Sequence, residues 1–497
     1  MTKSLIINPP FLEPHRPPIS CAILAEILRL EGHDILVKDI NIGIFHRMSA
    51  DLFHNFQVRY TTAPDAEVTA ELEKMIALEM EQIDLSSYDW ILLSCFSFWN
   101  VGAIRLICEM IRPKTKARIV VGGPGIEYEK FGATLHKEGL CDYFIYGEAE
   151  LALPELLHGN EDYPGINGRP PEQIIDIEPL PLPNYGYFNL PKYDWLLDAP
   201  DVFIYGSRGC VRKCTFCDVE AYWPKYRWRS GQSLANEMIA NYEKYGIKNF
   251  FFADSLVNGN LKEFKVMCEL LANYKEGLFR WGSYAIVRPK AAHPAGLFDV
   301  IKASGGRFWS IGVETGVDRI RFEMDKKFTN EDIDWHLEQS QRIGLQNNFL
   351  NIPTWPSETL EEHLEYVNMF KRWQPYAVDG TIYGIRMSNT LGIINTSRLA
   401  KEQGNAFEFE KFNMDQLNEG FQWTMSQSWY NEKNPTLTHR EKFRRTLALY
   451  EAAIEYNWPL SNSLQVINEL HSTLLNWQKI QPNILPRKRI ISIEKLK

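Results

Sequence analysis

The sequence lacks any run of 18 or more uncharged apolar residues, the length a helix needs to cross a bilayer. Even WILLSCFSFWNVGAIRLIC is interrupted by Asn100 and Arg105. The opening stretch, MTKSLIINPPFLEPHRPP, has an apolar run too short for a secretion signal, broken by Pro9 and Pro10. A cytoplasmic protein without a transmembrane segment is therefore expected. Positive charge is in deficit: 54 Lys and Arg face 63 Asp and Glu, for a net charge of −9. That balance argues against a nucleic-acid backbone as the main ligand. There is no fixed-period repeat and no low-complexity tract. Cysteine is scarce, 8 in 497 residues, and in a reducing compartment these are thiols or metal ligands rather than disulfides.

What the sequence has is alternation. SLIINPP reads as a strand, followed by a helix with Ile23, Leu24, Ile27 and Leu28 on one face and Gly32 as its stop. DILVKDI, WILLSC, ARIVVGG and DYFIYGE read as further strands, each followed by a helical pattern, with a Glu-rich helical insertion from about His46 to Leu85. Such repetition predicts a doubly wound, Rossmann- or flavodoxin-like parallel sheet over 1–160, with ligands at the carboxyl ends of its strands. Residues 161–200 hold eight of the 27 prolines and read as an extended connector. From 201 to 400 six more strand–helix units are expected, with strands at Val202–Tyr205, Lys248–Ala253, Arg280–Val287, Phe308–Val313, Asn347–Ile352 and Val378–Ile385. Six units fit a partial (β/α)6 barrel of TIM type, with chemistry at the strand C-terminal ends. Residues 401–497 read as a helical section ending in the basic tail PRKRIISIEKLK.

Three of the eight cysteines crowd into SRGCVRKCTFCDV, at Cys210, Cys214 and Cys217. Zinc needs a distant fourth ligand here, because the nearest histidines in sequence are His158 and His293 and no second Cys pair has zinc-ribbon spacing. Three core thiols fit poorly among Arg208, Arg212 and Lys213. The third reading is an iron–sulfur cluster with three thiolate ligands and one open iron, the basic neighbours stabilising the thiolates.

The Cys-x3-Cys-x2-Cys spacing just after a first barrel strand resembles the signature of the radical S-adenosylmethionine (SAM) superfamily, and Phe216 matches the aromatic residue common before its third cysteine. The resemblance implies that Cys210, Cys214 and Cys217 hold a [4Fe–4S] cluster whose open iron chelates the amino and carboxylate groups of SAM. It implies SAM-side positions at Asp254 and Ser255 in FFADS, at Arg288 in AIVRP facing the SAM carboxylate, and at Glu314 in WSIGVETG facing the ribose. NIPTWPSET is similar to a fifth-strand segment usually closer to G-x-P-G-E-T, departing at Trp355 and Ser357, and SNT stands where many relatives have P-G-T. A lone Asp or Arg at a strand end is as often a cap or an ion pair.

The order of INPP, VVGGPG, DYFIYGEAE, IEPLPLPNY and the cysteine triad resembles the radical SAM enzymes with an N-terminal cobalamin-binding-type domain, over roughly residues 1–400. This implies that Gly122 and Gly123 let the nucleotide tail approach the backbone and that Ser94 hydrogen-bonds it. VVGGPG lacks the Lys–Ser/Thr of a phosphate loop. The D-x-H-x-x-G pattern that supplies a cobalt-ligating histidine is missing too: the one D-x-H, Asp334 to His336, lies in the barrel section with Gln339 at the place of the glycine, and neither His15 nor His33 fits. The alternative is a flavodoxin-like cap that binds no corrinoid.

The implied activity is one-electron cleavage of SAM to a 5′-deoxyadenosyl radical, followed by cobalamin-dependent C-methylation. The runner-up is a cobalamin-independent cyclisation, rearrangement or carbon–carbon coupling. A one-electron donor such as flavodoxin or ferredoxin is the implied partner, beside an organic substrate that the residues do not name. A redox or binding protein with a structural cluster is the rival of another class. FQWTMSQSWYNEKNP is a candidate lining of the substrate side, although its aromatics suit a core equally well.

Overall fold

The computed structural model describes residues 2–62, 65–193, 199–387, 390–394, 396–403, 407–409 and 429–460. Ser388 and Asn389 of the SNT stretch, residues 421–428 of the candidate substrate lining and the basic tail lie outside them. The chain divides into two compact units, residues 1–206 with 227–253, and residues 207–226 with 254–497.

In the first unit β1 (Lys3–Asn8), β2 (Asp34–Asp39), β3 (Trp90–Ser94), β4 (Arg118–Gly122) and β5 (Tyr143–Ile145) form a parallel sheet in the order β2-β1-β3-β4-β5. This is the flavodoxin-like order, with its switch point beside β1. Leu5 stands opposite Leu36 and Ile91, and Ile91 opposite Ile119. Side chains alternate across the sheet. Leu5, Ile7, Ile91, Leu93, Ile119 and Val121 enter one core, while Ile6, Trp90, Leu92, Val120 and Ile145 enter another. Both faces are covered, which is why these strands read as unbroken apolar runs. The helix Ile19–Leu30 sets Cys21, Ala25 and Leu28 on the second face, and Gly32 follows it in the left-handed region at φ +84°. The helix Phe98–Ile111 sets Ile104 and Ile107 on the first, its start fixed by a capping box of Ser97 and Asn100. The Glu-rich insertion is two helices, Ala50–Thr62 and Ala66–Met80, whose Phe53, Phe56, Val68 and Leu72 join the same core.

Among its described residues the proline-rich stretch has no strand. It runs through short 3-10 turns at Tyr185–Tyr187 and Leu190–Tyr193, and it buries Ile177 and Tyr185 completely. Two strands close this unit, β6 (Asp201–Ile204) and β7 (Asn249–Phe252), paired in parallel with Val202 opposite Phe250.

The second unit holds a parallel run in the order β11-β10-β9-β8, formed by β8 (Arg280–Ala285), β9 (Gly306–Glu314), β10 (Gln346–Asn351) and β11 (Ile382–Met387). Tyr284 stands opposite Ser310, Ser310 opposite Asn348 and Asn348 opposite Gly384. Helices Leu261–Lys275, Leu297–Ala303, Asn330–Ile343 and Leu360–Arg372 alternate with the strands. All six strands expected of the barrel section are thus present. The sixth starts four residues later than the sequence suggests, because Gln374–Val378 is helical with Pro375 at its start, and Gly380 turns the chain at φ +85° before Ile382. The helix His439–Glu455 follows. Among the described residues no helix is long and apolar enough to cross a membrane.

Candidate functional site

Cys210, Cys214 and Cys217 lie on the loop that opens the second unit, and all three are half-buried free thiols. Gly209 sits in the left-handed region at φ +82°, where a Cβ would stand 2.9 Å from the Lys225 carbonyl oxygen, so the residue before the first cysteine must be glycine. The loop is pinned to two other segments. Thr215 N donates to Met324 O at 3.1 Å, and Leu399 N donates to Thr215 O at 2.6 Å. Arg398 Nη2 also donates to Lys213 O at 2.7 Å. Burial raises the pKa of all three thiols, that of Cys217 to about 11, and each is close enough to feel another's charge. Among the described residues, no three His, Cys, Asp or Glu side chains are grouped to hold a single metal ion. A cubane cluster does not require that, because each thiolate binds a different iron.

The fourth-strand glutamate stands at the end of β9. Glu314 is buried and has φ +66°. Its carbonyl oxygen accepts from Tyr366 Oη at 2.9 Å and from Ile352 N at 2.8 Å, which fixes the backbone. Its carboxylate is not free: Lys326 Nζ lies 2.6 Å from Glu314 Oε1. In the sequence Lys326 is one of two adjacent lysines in DKKF, with no motif to single it out. Lys327 is exposed, but Lys326 is buried. The Lys326 ammonium lies 5.6 Å from the centre of the Phe216 ring, and Phe216 meets Trp355 edge-on at 6.1 Å. Burial disfavours the Lys326 charge, but Glu314 and the Cys214 thiol outweigh it and raise its pKa.

Arg288 follows β8 by three residues. Its Nη2 donates to Gly259 O at 2.7 Å, while its Nε is buried and without a partner. Burial, then the like charge of Arg212, lowers its pKa; Arg212 Nε is a second buried donor without a partner. Both guanidiniums are close enough to Cys210 to act on its thiol, and bared donors of this kind suit an anion. Asp254 is buried and accepts from Ser207 Oγ, so it braces the start of the cysteine loop. Ser255 is half-buried beside it.

In the first unit the carboxyl ends of β1, β3 and β4 carry Asn8, Ser94 and Gly122. Ser94 Oγ is 3.2 Å from Ser20 Oγ. Asn8 Nδ2 donates to Asp39 Oδ1 at 2.9 Å, and Asn8 Oδ1 is buried without a partner. The two glycines differ. At Gly123, φ is +110° and a Cβ would stand 2.5 Å from Cys95 O, so the chain's own packing demands glycine there. At Gly122 a Cβ would meet nothing nearer than Ile145 O at 3.7 Å, an ordinary contact. The histidines set aside in the sequence have other work. His336 is a core residue, bonded to Asn347 Oδ1 at 2.9 Å and stacked on Trp309, and His33 bonds Thr2 Oγ1 at 2.7 Å.

Residues 204–370 match the model of the Radical SAM superfamily, and the chain therefore carries a radical SAM domain. It is 27% identical over 378 residues to a cytidylyl-2-hydroxyethylphosphonate methyltransferase of Streptomyces wedmorensis, covering 66% of this chain and 67% of that one. It is 23% identical over 279 residues to an anaerobic magnesium-protoporphyrin IX monomethyl ester cyclase of a Synechocystis strain, covering 52% of this chain and only 54% of the cyclase's length. Two solved structures share the fold. One is the cobalamin-dependent SAM radical enzyme OxsB with aqua-cobalamin bound, with a TM-score of 0.65 at 15% identity over 97% of this chain and 80% of that one. The other is the radical SAM methyltransferase TsrM of Kitasatospora setae with cobalamin and a [4Fe–4S] cluster bound, with a TM-score of 0.59 at 18% identity over 81% of this chain and 75% of that one.

Proposed function

We propose that this chain is a radical SAM enzyme that holds a [4Fe–4S] cluster on Cys210, Cys214 and Cys217 and methylates an unactivated carbon with the help of cobalamin. The observation that carries the reading is the convergence of three half-buried thiols on one pinned loop with a buried Lys326–Glu314 pair and a partnerless Arg288 Nε. These residues fit the groups. Three thiolates leave one iron of a cubane open. The bared donors of Arg288 and Arg212 suit the SAM carboxylate. In the first unit, the unsatisfied Asn8 Oδ1, the Ser20–Ser94 hydroxyl pair and the open backbone at Gly122 suit a polar ligand at the switch point of the sheet. Bound there, these groups would supply a low-potential electron, a 5′-deoxyadenosyl radical and a methyl donor.

The chain's own part is binding, orientation and exclusion of water. The cysteine loop fixes the thiolates by its bonds to Met324 and Leu399. Phe216 and the buried Trp355 wall off one side with apolar surface, and a radical site gains from such shielding. The electron would come from a low-potential carrier of the flavodoxin or ferredoxin class. The cyclase among the relatives keeps a second reading in view, in which the radical begins a ring closure and no methyl group is transferred.

The test is anaerobic reconstitution with iron and sulfide, followed by SAM and dithionite, with and without a corrinoid. The enzyme reading expects 5′-deoxyadenosine in the wild type. In Cys210→Ala, Cys214→Ala and Cys217→Ala it expects iron loading and SAM cleavage to be lost together. A fully loaded cluster that never cleaves SAM would leave a structural cluster as the answer.

A further inference from the structure

We propose that Lys326 is a positioning residue of this site: its ammonium fixes the Glu314 carboxylate and is the permanent positive charge that raises the reduction potential of the cluster held by the neighbouring cysteines. The proposal rests on the functional reading above and adds to it a residue that the cysteine motif does not announce.

The local backbone is bent to deliver this one side chain. Asp325 and Lys327, on either side of Lys326, both lie in the left-handed region, at φ +62° and +56°. Glu314, the partner, does too at φ +66°. L-residues with side chains avoid this region, and such clusters persist only where the surroundings impose them. Gly312 completes the arrangement. A Cβ there would stand 2.4 Å from Glu314 Oε1 and 2.6 Å from Lys326 Nζ. Lys326 Nζ donates to Gly312 O at 3.1 Å as well. The glycine of SIGVE is thus the space in which the ion pair forms.

Lys326 is the cation that Cys214 and Cys217 feel, while Cys210 feels it together with Arg212 and Arg288. Its neighbour Asp325 is turned to other partners, Arg398 Nη2 at 2.9 Å and Lys327 Nζ at 3.0 Å. On its open side Lys326 has the Phe216 ring, one residue before Cys217. Stability alone gives little reason to place the pair here. Burying two charges is costly, and an apolar pair of like volume serves stability as well or better. A cation beside a cluster is different. Each one-electron reduction adds a negative charge, which a fixed positive charge in a poorly hydrated site favours. Removing the cation must make reduction harder. It also releases the Glu314 carboxylate from its one fixed orientation.

The experiment uses the full chain, reconstituted anaerobically, with iron content measured first. The cluster potential is then read by a redox titration followed by electron paramagnetic resonance without SAM, and SAM affinity by equilibrium dialysis. Lys326→Gln is expected to hold as much iron as the wild type. Its one-electron equilibrium should shift at least tenfold against reduction, a displacement of about 59 mV to more negative potential. Its SAM affinity should fall at least tenfold. Lys326→Arg, which keeps the charge, should keep the potential. An unchanged potential and SAM affinity in iron-replete Lys326→Gln would overturn the proposal. So would a folded Lys326→Gln that takes up no iron, since ligation is assigned to the cysteines alone. If Lys326→Gln does not fold by circular dichroism, Gly312→Ala, which pushes the pair apart, is read by the same criteria. A wild-type chain that binds no iron would defeat the functional reading itself and is recognised at the first measurement.

Discussion

Arg445 Nη1 lies 3.0 Å from Glu358 Oε2, with the two side chains only 3% and 1% exposed. The same nitrogen donates to Glu358 O at 2.9 Å, and Arg445 Nε reaches Glu441 Oε1 at 3.0 Å. The pair ties the helix His439–Glu455 to the loop after β10. Thr359, the next residue, caps the helix Leu360–Arg372 through a capping box with Glu362. The P-S-E-T stretch therefore serves the scaffold behind the site. Arg445→Met should destabilise the protein by about 3–5 kcal/mol, because it leaves the buried Glu358 carboxylate with only the His363 ring, 3.7 Å away, to face it. Urea unfolding of the double variant Arg445→Met with Glu358→Met should recover most of that loss. A double variant no more stable than the single one would contradict the account.

Arg288 offers a sharper test of the SAM side. Its Nη2 is spent on Gly259 O, and its Nε is bare. Arg288→Met should weaken SAM binding by about tenfold to a hundredfold, the worth of one charge-assisted hydrogen bond at about 1.5–3 kcal/mol. Iron content should not change. Arg288→Lys should recover only part of the affinity, since an ammonium cannot reproduce the planar fork. Equilibrium dialysis with labelled SAM decides it, and wild-type affinity in Arg288→Met would remove this residue from the site.

His336 predicts an acid-sensitive fold. Burial holds its pKa at about 4, below the ordinary 6.5. Its folded-state pKa is lowered, so the unfolded chain binds more protons between those values. The associated stability is complete above about pH 6.5 and is lost as the pH falls to about 4, amounting to roughly 3 kcal/mol. His336→Gln does not titrate there. The stability difference between wild type and this variant, from denaturant curves at pH 7 and pH 4, should shift by that amount against the wild type. A constant difference would show that His336 carries no such linkage.

Much of this was legible in the sequence because the signals were local. Strand–helix alternation predicted both parallel sheets, since buried strands and amphipathic helices leave contiguous patterns. The cysteine spacing and the SIGVE stretch marked two parts of the candidate site. Lys326 was not legible. Its burial depends on the left-handed backbone at Asp325 and Lys327 and on space at Gly312, which no periodicity reports. Gly123 has a reason to be glycine that the sequence does not carry. Its lack of a side chain is required by the Cys95 carbonyl oxygen of the same chain. The sixth strand was set too early because AVDGTIYGI carries apolar residues through a helix end and a glycine turn before pairing begins.

That difference between the two glycines sets the last prediction, that the first unit binds cobalamin without a protein histidine on cobalt. Gly123 is a poor probe, because a side chain there would disturb the fold before any ligand arrived. Gly122→Ala is the informative change. Its new methyl group meets only an ordinary contact at 3.7 Å, so thermal unfolding of the apoprotein should stay close to wild type. It would nonetheless project at the carboxyl end of β4, where a nucleotide tail lying against the backbone has no room for it. Corrinoid retained after anaerobic reconstitution and gel filtration should therefore fall at least severalfold in Gly122→Ala, and full retention would remove that surface from the binding site. The ligation half rests on chemistry already spoken for. His336 is bonded to Asn347 inside the core, and His33 is bonded to Thr2. Electron paramagnetic resonance of the cob(II)alamin-loaded protein should lack the nitrogen splitting of a bound imidazole. A clear splitting would overturn the ligation claim, and no retention by the wild type would leave the first unit without a corrinoid role.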